Sequence, residues 1–261
     1  MSETLQTVLL GIVEGLTEFL PISSTGHLLI AEHWLGTRTE LFNVGIQAGA
    51  ILAVVLIFWP RLLDLLTHWR EAAQRTYLGQ LALAFCVTLV GGLVVKKLGA
   101  SLPETLAPIA WALIIGGVLI FVIEALVARR PVVDVVTWKV AFWVGACQIL
   151  AGVFPGTSRS AATIFAAMLA GLTARPAAAE FAFLLGIPTM FAATGYELLK
   201  ERDNLSVGSE DWAQFALGFV VSGIVAFIAV KWLLRYVQTH RFTIFAWYRI
   251  VLGAALLIWV R

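Results

Sequence analysis

Acidic, hydroxyl and imidazole side chains are concentrated near the start of this otherwise apolar chain. Glu14 and Glu18 are four residues apart, so on a helix they share one face, and Ser23, Ser24 and His27 follow closely. Carboxylates and imidazoles act as acids or bases, and a serine hydroxyl becomes a nucleophile when a base activates it. Ionisable groups in an apolar segment are costly to bury and usually mark a functional path. This segment therefore predicts acid–base or nucleophilic chemistry.

A second segment carries a related pattern 134 residues further along the chain. In both segments a Glu or a Gln, Glu14 or Gln148, stands seven residues before a proline, and small hydroxyl residues follow the proline. The second cluster also contains Arg159, whose planar guanidinium suits a phosphate or a carboxylate. A duplication at this distance divides the 261-residue chain into two halves. We therefore expect each half to build one side of a single site.

The two clusters together favour an anion-binding site. Small hydroxyl and glycine residues that lead into a helix leave backbone N–H groups free, and such groups favour anions. One cluster offers acids and an imidazole and the other a guanidinium, a mixture that suits phosphoryl transfer because that reaction depends on positioning and charge stabilisation. The predicted phosphate-binding residues are Ser23, Thr25, Gly26, Ser158, Ser160 and Thr163, with Gln47 and Gln148 in support.

Roles within the predicted catalytic group stay partly open. Ser24 is the first choice of nucleophile with His27 as its general base, and attack by His27 itself or by water is the alternative. Glu14 or Glu18 would orient the imidazole or hold a divalent cation. An ion pair between Arg159 and one of the two glutamates is a further interpretation, and it is compatible with catalysis.

The elements that must position these residues are membrane helices. Hydrophobic residues make up 60% of the chain and charged residues 13%, which is too apolar for a soluble globular domain. Apolar runs long enough to cross about 30 Å of hydrocarbon recur six times. They lie at about 41–59, 80–95, 106–127, 177–199, 212–234 and 242–260. We therefore predict an all-α integral membrane protein with six transmembrane helices.

The six spans leave out two proline-interrupted segments, at about 5–36 and 138–172. Irregular backbone inside a membrane is tolerated only where protein or a watered cavity satisfies its polar groups, so we predict two re-entrant helical hairpins. In the single membrane domain 1–261, each half, 1–127 and 138–261, then holds one hairpin followed by three spans. Because three is odd, the halves form an inverted-topology repeat, and the hairpin tips are expected to meet at mid-membrane.

Positive charges predict the orientation of this bundle. Loops 60–79, 128–139, 173–176 and 231–241 carry ten Lys or Arg, against six at the opposite face. By the positive-inside rule, the face with more positive charge is cytoplasmic. The first hairpin is then expected to enter from outside and the second from the cytoplasm.

Two motifs resemble those of a known family. The stretches from Glu14 to His27 and from Pro155 to Thr163 closely resemble the signature motifs of the bacterial undecaprenyl pyrophosphate phosphatase family, also called bacitracin-resistance proteins. The likeness spans the chain and includes residues 47–50, 180–188 and 248–249. It implies hydrolysis of undecaprenyl diphosphate to the monophosphate and inorganic phosphate, which recycles the lipid carrier of peptidoglycan synthesis. It also implies a location in the bacterial plasma (inner) membrane, with the active site open to the periplasmic or outer side.

The resemblance also implies a cofactor and partners. Mg²⁺ or Ca²⁺ is expected to assist the reaction, with Glu14 and Glu18 as candidate ligands, although the sequence contains no dedicated cage of ligands. The expected partners are a polyprenyl diphosphate and membrane lipids, and bacitracin is connected only through the shared substrate. A net charge of +2 gives no indication of a nucleic acid partner, and a homodimer is an open alternative.

Two other classes of protein share parts of this pattern. Phosphatases of the phosphatidic-acid-phosphatase type also use a Ser-Gly-His loop and a Ser-Arg pair, but they need a second His about six residues after that pair, and residues 160–172 contain none. A secondary transporter or lipid flippase for an anionic or phosphorylated substrate is the alternative, because inverted repeats also build transporters. The imidazole beside a serine favours an enzyme, since an anion carrier has no need of it.

Overall fold

The computed structural model describes residues 2–99, 105–205 and 212–259, and within these ranges all regular secondary structure is helical. The predicted all-α fold class is thereby confirmed. Eleven helices lie in these ranges: α1 (Glu3–Thr17), α2 (Ser24–Leu35), α3 (Glu40–Ile57), α4 (Trp59–Thr67), α5 (Ala72–Leu98), α6 (Leu106–Val127), α7 (Trp138–Val153), α8 (Arg159–Ala170), α9 (Arg175–Leu205), α10 (Trp212–Thr239) and α11 (Thr243–Trp259).

Each of the six predicted spans corresponds to one helix. Among the described residues, α3, α5, α6, α9 and α10 are long and apolar enough to cross a membrane, and α11 covers 17 residues of the sixth predicted span. The predicted end of that span at residue 260, and Arg261 among the charges counted at the outer face, lie outside the described residues. Pro60 ends the first span, because it has no backbone N–H for the carbonyl of Leu56, and α4 begins there.

The two predicted hairpins are helix pairs joined by short loops. α1 and α2 form the first pair and α7 and α8 the second. In each loop the chain enters the second helix through a serine with positive φ, Ser23 at 76° and Ser158 at 70°. Each of these serines caps the helix that it precedes. A positive φ is uncommon outside glycine and persists where the surrounding structure enforces it, often at functional sites.

The capping serines show that the stretch from the loop proline to the helix start is one residue longer in the second hairpin than in the first. Ser23 stands two residues after the loop proline, whereas Ser158 stands three residues after its proline. The helix starts therefore pair Ser24 with Arg159, each the first residue of its helix. The repeat spacing of 134, which aligns Ser24 with Ser158, applies only up to the prolines.

Helices of the two halves pack against each other. α1 and α3 pack on α10, α7 packs on α5, and α6 packs on α11. Glycines allow this close approach: a Cβ on Gly49 would overlap the Phe219 carbonyl, and a Cβ on Gly145 would overlap that of Ala84. Small residues at helix contacts are usual in membranes. Each hairpin is thus held by a helix of the other half, while the opposite orientation of the halves stays a prediction.

Candidate active site

Both hairpin loops face one cavity of about 520 Å³. Helices α3, α5, α7 and α9 complete its wall, and the volume falls in the usual range of ligand pockets. The predicted site residues in this wall are Glu18, Ser23, Ser24, Thr25, Gln47, Gln148, Ser158 and Arg159. The structure therefore brings the two sequence clusters together around one space.

Glu18 connects the two hairpins at this cavity. The Ser24 hydroxyl donates a hydrogen bond to Glu18 Oε2 at 2.5 Å, and the Arg159 guanidinium donates to the other carboxylate oxygen. Glu18 is buried, so its charge is satisfied by these partners rather than by bulk water. The carboxylate thus lies where a general base for Ser24 is needed.

The starts of two helices also face the cavity. Ser24 and Arg159 are the first residues of α2 and α8. The first N–H groups of a helix have no intrahelical partner, and the helix dipole favours an anion at that end. The side chain of each capping serine accepts a backbone hydrogen bond from the third residue of its helix, at 3.4 Å from Gly26 N and 3.2 Å from Ala161 N. The two helix starts together therefore favour an anionic group between the loops.

His27 makes its hydrogen bonds away from this cavity. Its Nδ1 donates to the Ser23 carbonyl at 2.7 Å, and its Nε2 lies 2.6 Å from the hydroxyl of Tyr248 on α11. The two rings are stacked, with centroids 5.6 Å apart. Both ring nitrogens are thus engaged, and His27 is not part of the cavity wall. This geometry does not support His27 as the base for Ser24, since the Ser24 hydroxyl points to Glu18 instead.

Glu14 is completely buried beside this site. Neither of its carboxylate oxygens has a hydrogen-bond partner among the described residues, and Oε1 of Gln148, its counterpart in the second repeat, has none either. Mg²⁺ and Ca²⁺ prefer oxygen donors of this kind. Within the described part of the chain, however, no group of three or more His, Cys, Asp or Glu residues forms a metal site. Glu14 and Glu18 would therefore supply only two side chains to a cation, and its remaining ligands would have to come from elsewhere.

Three predicted phosphate-binding residues lie behind the cavity wall. The Ser160 hydroxyl donates to the Leu20 carbonyl at 3.1 Å, which ties α8 to the first loop. The Thr163 hydroxyl donates back to the Arg159 carbonyl at 2.8 Å, and Gly26 is buried in the first turn of α2. In this structure Ser160 joins the two hairpins, Thr163 bonds within α8, and none of the three residues lines the cavity.

Arg249, which the sequence analysis left outside the site, links both loops from behind. It is fully buried on α11, and its guanidinium donates to the carbonyls of Pro21 at 3.2 Å and of Gly156 and Thr157 at 3.1 Å each. Two further hydrogen bonds go to carbonyls of α6. A buried guanidinium needs acceptors for its five N–H groups, and backbone oxygens supply them here. Its position inside an apolar span is the signal by which sequence analysis would find it.

The fold and the site define a multi-pass helical membrane protein with a polar cavity between two helix hairpins. The family described as bacitracin resistance protein BacA matches residues 7–255, and the chain belongs to this family. The chain is 62% identical over 253 residues to an undecaprenyl-diphosphatase of Rhizobium etli, covering 97% of this chain and 96% of the relative. It is 59% identical over 260 residues to an undecaprenyl-diphosphatase of Xanthomonas oryzae pv. oryzae, covering 100% and 98%. The family expected from the two motifs is confirmed.

Proposed function

We propose that the protein hydrolyses undecaprenyl diphosphate to undecaprenyl phosphate and inorganic phosphate. The relatives named above carry this activity in their names, and the chain matches them over nearly its full length. One observation in the structure supports the proposal. The Glu18 carboxylate accepts hydrogen bonds from both Ser24 and Arg159, and the helices that begin at these two residues face the same cavity. This arrangement places a base, a nucleophile and an anion-binding group within reach of one phosphate.

The chemistry follows from these contacts. Arg159 binds the terminal phosphate, and the N–H groups at the starts of α2 and α8 stabilise the charge on its oxygens. Ser24 attacks the terminal phosphorus while its proton passes to Glu18, the bond to the bridging oxygen breaks, and undecaprenyl phosphate leaves. Water then cleaves the phosphoserine, which restores the serine hydroxyl and releases inorganic phosphate. In the alternative, Glu18 activates water directly and Ser24 only binds phosphate.

A divalent cation fits beside Glu14 and Glu18, because Glu14 has two buried oxygens without a hydrogen-bond partner among the described residues. When bound there, Mg²⁺ or Ca²⁺ would neutralise charge on the diphosphate oxygens. The two glutamates would hold the cation and the phosphates would complete its coordination.

The reaction takes place at the outer face of the bacterial plasma membrane in this proposal. Loops 60–79, 128–139, 173–176 and 231–241 carry the excess of Lys and Arg, which supports a cytoplasmic location for these loops. The active site would then open to the other side of the membrane. A membrane-impermeant maleimide should label Thr37→Cys in intact cells and Arg70→Cys only after permeabilisation. The reverse pattern would invert the proposed sidedness.

The experiment that tests the activity is release of inorganic phosphate from undecaprenyl diphosphate by purified protein in detergent. Arg159→Ala and Glu18→Ala should lower kcat/KM by at least about 100-fold, because each removes a charged group from the reacting centre. Arg235→Ala, an exposed arginine of α10, is the matched control and should leave the rate unchanged. A transporter would release no phosphate even as the wild type, and wild-type activity in Arg159→Ala would contradict the site.

A further inference from the structure

A second cavity, apolar and about 300 Å³ in volume, lies between α5 and α9. The residues that line this cavity and not the active-site cavity are Phe85, Leu89, Leu93, Ala192 and Tyr196. Five residues line both it and the active-site cavity: Thr88, Gly92, Lys96, Thr189 and Ala193. The two cavities therefore adjoin along these five residues, and the space is polar at the hairpin loops and apolar between the two helices. We call the apolar part the α5–α9 groove.

The α5–α9 groove is open toward the surface that faces lipid. Leu89 is 44% exposed and Leu93 52% exposed on a helix that is long and apolar enough to cross a membrane. A Cβ added at Gly92, at the junction of the two cavities, would meet no atom within 4 Å. From Phe85 to Lys96, at about 1.5 Å per residue, the groove follows α5 for roughly 16 Å. A chain in the surrounding hydrocarbon can therefore reach the active-site cavity from the side.

A lipid diphosphate presents a geometric problem that this groove solves. Its charged group needs the polar cavity, whereas its chain is already in an apolar solvent and gains no hydrophobic free energy by moving into protein. An apolar groove that joins the polar cavity lets the diphosphate enter while the chain stays in a hydrocarbon environment. The expected contribution of the groove is therefore to entry and alignment of the substrate.

Lys96 lies at the junction between the groove and the polar cavity. Its Nζ donates to the hydroxyl of Tyr196 at 2.6 Å and lies 3.9 Å from the centroid of that ring. These contacts hold the ammonium group at the mouth between α5 and α9. An ammonium has three donors, so two are left for other acceptors. A positive charge tethered here suits a diphosphate that enters between the two helices.

We propose that the α5–α9 groove is the lateral entrance for the substrate, where it receives the first isoprene units of the prenyl chain while Lys96 contacts the diphosphate. A volume of about 300 Å³ is at the small end of ligand pockets, so the remainder of a long chain lies in the bilayer. The proposal rests on the proposed function and adds to it the side from which the lipid enters.

The first test blocks the groove with Ala192→Phe and uses two substrates, undecaprenyl diphosphate and the short dimethylallyl diphosphate. The ratio of kcat/KM for the long substrate to kcat/KM for the short one should fall at least tenfold. Ala255→Phe, the same substitution at an exposed position of α11, is the matched control and should leave the ratio unchanged. An unchanged ratio in Ala192→Phe, or an equal effect of the two substitutions, would overturn the proposal.

The second test compares two adjacent lysines. Lys96→Met should lower kcat/KM for both substrates about tenfold, since it removes a charged hydrogen-bond donor from the diphosphate. Lys97→Met removes the same charge from the next position, which lines neither cavity, and should have no effect. Equal rates for the two variants would exclude Lys96 as a contact of the diphosphate.

A binding measurement separates failure of the groove from failure of the proposed function. A prenyl bisphosphonate, whose P–C–P link resists hydrolysis, would carry a diazirine on its first isoprene units and be photolysed with the wild-type protein. Labelled peptides should map to residues 85–93 and 189–196. Labelling confined to other helices would overturn the groove even if phosphate release is normal. Labelling of the groove without any phosphate release would refute the proposed hydrolase activity but would still support the α5–α9 groove as the entrance for the lipid.

Discussion

Arg249→Met tests whether one buried guanidinium holds the two catalytic loops in position. Methionine has a similar length but no donor, so the substitution removes all five hydrogen bonds to backbone carbonyls. Three of those carbonyls, of Pro21, Gly156 and Thr157, belong to the loops. Those of Ala112 and Leu113 lie inside α6, where the helix supplies other donors.

The structure indicates the size of the effect. An unsatisfied buried polar group costs about 1–3 kcal/mol, so three loop carbonyls amount to about 3–9 kcal/mol if the loops stay in place. Removal of the charge itself relieves a desolvation cost, so the bundle as a whole should still fold. The loops can avoid the penalty by moving, and a displacement of about 1 Å at a reacting centre costs about 100-fold in rate. We therefore expect kcat to fall at least about 100-fold in a protein that still folds.

Two measurements check this expectation. Phosphate release gives kcat, and hydrogen–deuterium exchange of peptides covering residues 18–24 and 154–158 reports the mobility of the loops. Exchange should become faster in both loop peptides and stay unchanged in the α4 peptide. Arg249→Lys should not restore activity, because an ammonium with three donors cannot reproduce five hydrogen bonds to three segments. Wild-type kcat together with wild-type loop exchange in Arg249→Met would refute the reasoning.

Gly116 on α6 lies against the guanidinium of Arg249, so a larger residue there gives a second test. A Cβ on Gly116 would overlap the Arg249 guanidinium, so Gly116→Ala should displace it and lower kcat about tenfold. Gly195→Ala is the matched control, since an added Cβ there meets no atom within 4 Å. If the two alanine variants have the same activity, Gly116 does not act through Arg249.

Three further outcomes are expected. Ser24→Ala should lose at least about 100-fold in kcat and form no trapped phosphoenzyme, whereas full activity would remove Ser24 from the nucleophile role. Glu124 is buried and accepts hydrogen bonds from Arg175 at 2.5 and 2.9 Å and from Phe242 N at 2.9 Å, so Glu124→Gln should destabilise the fold by about 3–5 kcal/mol. That change should lower the thermal midpoint in detergent by about 10 °C, and an unchanged midpoint would contradict the role of the pair. Removal of divalent cations with EDTA should lower phosphate release, and added Mg²⁺ or Ca²⁺ should restore it. The cation concentration needed for half of the full activity should be higher in Glu14→Gln than in the wild type. Activity that persists in EDTA would exclude the cation.

Much of the site could be predicted because its residues are out of place in an apolar chain. Two glutamates, a histidine and an arginine in membrane segments are costly, so they stand out in the sequence. The duplicated proline loops indicated that Glu18 and Arg159 belong to one site, and the structure places their side chains in contact. An ion pair between Arg159 and a glutamate had been one of the open alternatives, and it coexists here with the contact between Glu18 and Ser24.

Other features could not be predicted because they depend on distant partners. His27 and Tyr248 are 221 residues apart, and only the packing of α11 brings the two rings together. The group that accepts the hydrogen bond of the Ser24 hydroxyl is a carboxylate six residues before it, and this contact depends on the conformation of the loop rather than on residue type. The extra residue between the second proline and its capping serine could not be predicted either, because both clusters contain several similar hydroxyl residues.

The amino-acid sequence by itself determined the all-α membrane class, the family and the concentration of functional groups at two broken helices. These follow from composition and from local patterns, since hydrocarbon requires long apolar helices and penalises every charge within them. The tertiary structure decided which groups meet: Glu18 with Ser24 and Arg159, His27 with Tyr248, and Arg249 with both loops. Backbone carbonyls accept most of the hydrogen bonds that position the loops. Every residue carries a carbonyl, so residue types alone cannot reveal these partners.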